Sequence, residues 1–134
     1  MFHQVVILGN LGSDPEMRYT PSGRPVTNFS VASNKRYTNS SGEQVDQTTW
    51  FRVACWGKLA EVTNDYLSKG RQVFIIGELS PGENGSPKVW TGTDGEAHAS
   101  YEVNAQMVKF LGRPNGGDNE EVFSEAGKEI SFTS

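Results

Sequence analysis

Apolar residues along this chain fall into short runs of two kinds, strictly alternating or continuous, with one stretch of helical spacing among them. From His3 the chain reads H-Q-V-V-I-L-G-N-L, a nearly continuous β-branched run closed by Gly12-Ser13-Asp14-Pro15. That is the pattern of a strand covered on both faces. In a small domain such a run implies that another chain, or the domain's own curled sheet, covers the second face. Arg18-Tyr19 extends the strand after a bulge, before the turn Pro21-Ser22-Gly23. Pro25 to Lys35 alternates, with Thr27, Phe29, Val31 and Ser33 on one face against Val26, Asn28, Ser30, Ala32 and Asn34. A loop of hairpin composition follows, T-N-S-S-G-E-Q-V-D-Q, and then a third strand beginning at Thr48. After Gly57 the period lengthens: Leu59, Val62, Tyr66 and Leu67 share one helical face, and Gly70 is a natural stop. Gln72 to Leu79 is a fourth strand whose Gly77 invites a bend. Ser80 to Pro87 is loop, Lys88 to Thr91 is extended, and Asp94-Gly95 marks a tight turn. Ala99 to Leu111 is the last strand, with Tyr101, Val103, Ala105 and Met107 opposing Glu102, Asn104, Gln106 and Val108.

The order strand, strand, strand, helix, strand, strand is all-β with one short helix between strands three and four and long hairpin loops. It fits a five-stranded OB-fold barrel and other small β-barrels alike. Residues 1–112 form that domain. Beyond Gly112 the texture turns polar and acidic, and residues 113–134 read as a disordered tail, because isolated Val122, Phe123, Ile130 and Phe132 bury too little to offset the entropy of ordering. Those few hydrophobes suit either a docked peptide or an inert solubilising tail.

Charge alters this picture less than its distribution does. The net charge is −4, which argues against a phosphate-binding protein, but residues 1–112 carry ten Lys/Arg and eleven Asp/Glu while the tail carries two and five. The body is near neutral and free to gather its cations on one face. Cys55 is the single cysteine, so no intrachain disulfide forms, and the chain does not resemble a secreted stapled scaffold. Neither an apolar span nor a signal peptide stands out, and a cytoplasmic location is expected.

The stretch T-T-W-F-R-V-A-C-W-G-K-L-A-E, residues 48–61, carries the candidate chemistry. As a strand it sets Trp50, Arg52, Ala54 and Trp56 on one face and Phe51, Val53 and Cys55 on the other. Two indoles flanking a guanidinium suit the stacking of unpaired bases and the holding of their phosphates; periodicity alone favours the plainer reading, tryptophans in a core covered from both sides. Lys35-Arg36-Tyr37 at the root of the first loop, and Lys88 beside Trp90, repeat the pairing of cation and aromatic. An enzyme finds little support. His3 and His98 are the only histidines, Cys55 points to the oily face, and the acids show no paired spacing, so neither a nucleophile with its base nor a metal cluster is visible, and no cofactor is expected.

At V-I-L-G-N-L-G-S-D-P-E-M-R-Y (6–19), at residues 48–61 and at Y-L-S-K-G-R-Q-V-F-I-I-G-E-L (66–79), the chain resembles the bacterial single-stranded DNA-binding proteins of replication, recombination and repair. The resemblance runs from residue 2 to about 112. It implies the OB barrel, a homotetramer and the wrapping of single-stranded DNA across aromatic and basic surfaces. It implies stacking at Trp50, Trp56, Tyr37 and Trp90, where Trp56 stands in place of the family's usual phenylalanine and Tyr37 in place of its usual tryptophan. Lys35, Arg36, Arg52, Lys58, Arg71 and Lys88 become candidate phosphate contacts. Family members end in aspartates followed by Ile-Pro-Phe, which partner enzymes read; here Glu129, Ile130 and Phe132 keep the order, but serine replaces proline and two residues follow the phenylalanine. The alternative is a dimeric OB-fold protein of replication restart, acting mainly through protein contacts.

Overall fold

Five strands close into a barrel: β1 (Val5–Leu11), β3 (Pro25–Thr38), β4 (Gln44–Trp56), β5 (Gln72–Leu79) and β8 (Tyr101–Leu111). The computed structural model describes residues 1–111 and, beyond them, only the backbone of β9 (Glu121–Ser124) and β10 (Glu129–Ser131). Around the barrel the order is β8-β4-β3-β1-β5, and antiparallel pairing of β5 with β8 closes the ring. β4 and β8 run parallel, Phe51 opposite Tyr101 and Ala54 opposite Asn104. This is the OB-fold that the order of elements allowed and the family resemblance implied. Helix α1 (Lys58–Tyr66) lies between β4 and β5 and plugs the barrel. Gly57 at its N-terminus has φ 63°, so the strand turns into the helix through a conformation that costs little only for glycine.

The inner faces of the strands supply one core, in which Ile7, Phe29, Val31, Val53, Ile75 and Phe110 pack with Leu59 of the helix. Two threonines are buried with them, and both are satisfied. Thr27 donates its hydroxyl to the Ala60 carbonyl at 2.6 Å, pinning helix to barrel, and Thr63 donates to the Leu59 carbonyl at 2.8 Å. Cys55 is fully enclosed beside Thr63, and burial pushes its thiol up to about 12.

Several sequence expectations are corrected. The curled sheet does not cover the second face of β1: Ile7 and Leu11 point inward, but Val6 and Leu8 remain 56% and 51% exposed on this chain. Glu16 to Tyr19 forms its own strand, β2, antiparallel to β3, and does not prolong β1. On α1 the buried residues are Leu59, Ala60 and Thr63, whereas Tyr66 is 54% exposed, its ring centroid 6.3 Å from that of Phe110. In β8 the alternation holds through Val103 and Ala105 and then changes phase, since Val108 and Phe110 are buried in place of Met107. The cause is a bulge: Gly77 opposes Ala105 but Ile76 opposes Met107, leaving Gln106 unpaired. A Cβ on Gly77 would stand 2.3 Å from the Asn104 carbonyl oxygen, so the bend requires glycine by close approach of two backbones.

The Asp94-Gly95 turn closes a separate hairpin of β6 (Val89–Thr91) and β7 (Ala97–Ala99). Of the tail, β9 pairs with β8 and β10 with β9; the remainder of the stretch read as disordered lies outside the described residues.

Candidate nucleic-acid interface

The candidate site grows from the outer face of the β3–β4 ladder. Antiparallel register places Ala32 opposite Trp50, Ser30 opposite Arg52, Asn28 opposite Ala54 and Val26 opposite Trp56, so the two indoles and the guanidinium share the outward face while Val53 and Cys55 fill the core. The plainer reading, both tryptophans as core, does not hold. Trp50 is 52% exposed and lies against Gly12: a Cβ at Gly12 would meet its ring carbon Cζ3 at 2.3 Å. Gly12 thus makes a flat backbone floor for an indole whose other side faces solvent.

Trp56 is held by two side chains. Its Nε1–H donates to Asn104 Oδ1 at 3.2 Å, and the Arg24 guanidinium lies over its ring, 4.9 Å from the centroid. It also lines a groove of about 330 Å³ with Arg18, Asn28, Arg52, Lys88 and Glu102. Lys88 reaches this groove from the start of the β6–β7 hairpin and pairs with Glu102 at 3.5 Å. A shallower extension of about 190 Å³ continues past Arg18 and Arg52 to Ser13 and Ser30, toward Trp50. Two arginines, a lysine and two indoles therefore follow one another across a single open surface.

The other sequence candidates are dispersed. Tyr37 lies farther out on the ladder, on the odd-numbered side that becomes the core face within the barrel; Lys35 shares that side, its Nζ 6.0 Å from the ring centroid. Arg36 takes the opposite side and bonds Asp46 at 2.8 Å, a solvated pair. Trp90 sits on the β6–β7 hairpin, stacked at 5.9 Å on His98, whose Nε2 is 3.2 Å from Asp94 Oδ1. The Glu96 backbone N–H and His98 together hold the Asp94 carboxyl below its ordinary value. Lys58 is exposed at the start of α1, 3.6 Å from Glu61, and lines none of these grooves. Arg71 is half-buried, donating to the Tyr66 carbonyl at 2.8 Å and lying over the Phe110 ring at 5.5 Å. Glu129 and Ile130 are described as backbone only, and Phe132 lies outside the described residues.

Sequence reasoning missed Arg18, Arg24, Asn28 and Asn104. Arg18 had a signal, since β2 pairs it with Val26 beside Trp56 and the segment was already read as strand. Asn104 had none, because it meets Trp56 across a separation of 48 residues. Among the described residues no group of three or more His, Cys, Asp or Glu side chains is arranged to hold a metal ion, and no helix is long and apolar enough to cross a membrane.

Residues 2–111 match the family model of the single-strand binding protein family. Two curated relatives, the single-stranded DNA-binding proteins of Neisseria meningitidis serogroup A and serogroup B, are 35% identical over 113 residues, which is 84% of this chain and 62% of each relative. The chain thus spans less than two thirds of their length. A solved structure titled as a Plasmodium falciparum SSB complex with ssDNA superposes with a TM-score of 0.68 at 21% identity, covering 84% of this chain and 97% of that one. At that identity the likeness is one of fold.

Proposed function

The chain belongs to the single-strand binding protein family, and from that membership we propose that it binds single-stranded DNA with little regard to sequence, protecting and organising it in replication, recombination and repair. The observation that carries this reading is the outward face on which Trp50, Arg52 and Trp56 follow one another beside Arg18 and Lys88. Bases stack on the indoles, at roughly 1–3 kcal/mol each, a range taken from single-strand binders of this kind themselves. Phosphates displace counterions onto the arginines and lysines, so affinity falls with salt. Tyr37 with Lys35 and Arg36, and Trp90 on its hairpin, extend the path beyond the barrel; Lys58 and Arg71 are the weaker phosphate candidates, because neither lines the groove. No cofactor, metal or catalytic step is involved.

Residues 1–112 serve as the binding domain and 113–134 as an appended tail, whose Glu129, Ile130 and Phe132 are offered to replication and repair proteins. The exposed Val6 and Leu8 on an apolar strand support assembly, a homotetramer in this reading, because water-facing β-branched and leucine side chains in a row are a surface that a second copy covers. The site of action is the cytoplasm, at the nucleoid. No observation favours the dimeric restart protein.

Titration of tryptophan fluorescence with poly-dT at two salt concentrations tests the binding: a quench saturating at a fixed nucleotide ratio, weaker at high salt, is expected, and an absent quench at low salt refutes it. Trp50→Ala and Trp56→Ala each weaken binding with the fold intact; wild-type affinity in both refutes the stacking assignment. Mass measurement decides the assembly, a tetramer supporting it and a dimer or monomer refuting it.

A further inference from the structure

Trp56 lines two hollows. One is the groove with Arg18, Arg52 and Lys88, and the other is a pocket of about 480 Å³ walled by Arg24, Trp56, Gly57, Glu78, Asn104 and Gln106. Its volume is in the range of small-ligand sites. Its chemistry is unlike that of the first groove. Apart from Arg24 it has no cation, and its far wall is a carboxylate: Glu78 accepts from the Gln106 amide through Oε1 at 2.9 Å.

A half-buried acid on a surface that gathers phosphates weakens binding through repulsion, unless it receives a hydrogen bond from the ligand. Glu78 is placed to receive one. Gln106 is the residue left unpaired by the bulge in β8, and its side chain fixes one carboxylate oxygen, leaving acceptor capacity on the other. Across the pocket the planar guanidinium of Arg24, laid over the Trp56 ring that Asn104 anchors, offers a stacking wall. A planar group against that wall with an amino donor on its edge satisfies the carboxylate; a ring N–H set between two carbonyl oxygens does so less well, because those oxygens repel it. Among the bases, cytosine, adenine and guanine carry exocyclic amino donors, while thymine's edge donor is its ring N–H between two carbonyl oxygens.

We propose that the pocket beside Trp56 is a second base subsite that favours bases bearing an exocyclic amino group, with Glu78 as the acceptor and Gln106 as the residue that orients it. The inference rests on the single-strand-binding reading and adds to it a compositional bias that stacking alone does not produce. Each amino group engaged is read by one charge-assisted bond at a solvent-open site, at the low end of base discrimination, about fivefold in affinity.

The test compares oligo-dC with oligo-dT of equal length, by fluorescence titration at one salt concentration. Glu78→Gln is expected to move the dC-to-dT affinity ratio toward dT by about fivefold. Gln106→Ala, which leaves the net charge unchanged, is expected to move it in the same direction, and it keeps the test open should the first variant fail to fold. A Glu78→Gln variant that gains affinity equally for both oligomers overturns the proposal, because Glu78 is then only a repulsive charge; so does an unchanged ratio in both variants, while the single-strand-binding reading stands. Failure of the wild-type protein to bind either oligomer overturns both.

Discussion

Gly12→Ala separates the binding surface from the fold with one methyl group. Gly12 has no positive φ, so alanine meets no backbone strain there, and the added Cβ would lie 2.3 Å from Cζ3 and 2.8 Å from Cη2 of Trp50. Ordinary contact begins near 3.4 Å, so the indole must retreat by about 1.1 Å or swing off its floor. It is free to do so, being half exposed. The stability terms nearly cancel. Losing part of the indole's contact costs under about 1 kcal/mol at about 25 cal/mol per Å², and alanine returns about 0.4–1 kcal/mol by restricting the unfolded chain. Binding has no such compensation: a displaced Trp50 forfeits part of a stacking contact of roughly 1–3 kcal/mol, a severalfold loss in affinity for each site engaged. The expected result is a melting temperature within about 3 °C of wild type, a red shift in tryptophan emission, and weaker oligo-dT binding. Wild-type emission together with wild-type affinity would refute the argument that Gly12 is the floor of a stacking site.

Gly77→Ala meets the opposite outcome, because its Cβ would strike the Asn104 carbonyl at 2.3 Å and a backbone cannot swing aside; a loss of about 2 kcal/mol or more is expected in urea unfolding, and a neutral result would show that the bulge relaxes. Cys55 should resist thiol reagents at pH 8 until the protein is unfolded, and rapid native labelling would contradict its burial. Its thiol is raised from the ordinary 9.0 to about 12, so the neutral form's contribution is whole below pH 9 and is lost as the pH climbs from 9 toward 12, at up to about 1.4 kcal/mol per unit; Cys55→Ala should flatten that alkaline slope. The depressed Asp94 carboxyl works in the other direction: its ordering of the β6–β7 turn is complete above the ordinary 3.8 and fades as the pH falls through the lower folded value. Trp90 emission followed from pH 5 to pH 2 should change in wild type and not in Asp94→Asn.

The face of the Thr48–Trp56 strand was legible because a period of two is a local property, and it separated Trp50 and Trp56 from Val53 and Cys55 correctly. The same rule failed in β8 because the bulge at Gln106 arises from Gly77, far away in sequence, where the two backbones come close. Hydrophobicity misplaced Tyr66 as well: a tyrosine matches helical spacing as well as leucine does, yet the small Ala60 and Thr63 are what fit beneath α1. The partners of Trp56 were invisible for a related reason. Asn104 and Arg24 come from separate parts of the chain, and only register brings them to one indole. With β1, the pattern recorded that two faces avoid water without recording what covers the second.

From Val26 opposite Trp56 to Thr38 opposite Gln44, the β3–β4 ladder runs without a shift of register. It is therefore a ruler. At about 3.3 Å per rung, the Trp50 rung lies about 20 Å from that of Trp56, and the Tyr37 rung about 16 Å beyond. Parity governs what this ruler tolerates. One residue gained or lost in β4 between Trp50 and Trp56 would turn one of the two indoles toward the core, unless a new bulge absorbed it, whereas a change of two would keep both facing out and only alter their spacing. Chains that diversify along this surface are thus expected to do so by substitution, or by insertions in pairs, with odd changes confined to the loop beyond Thr38.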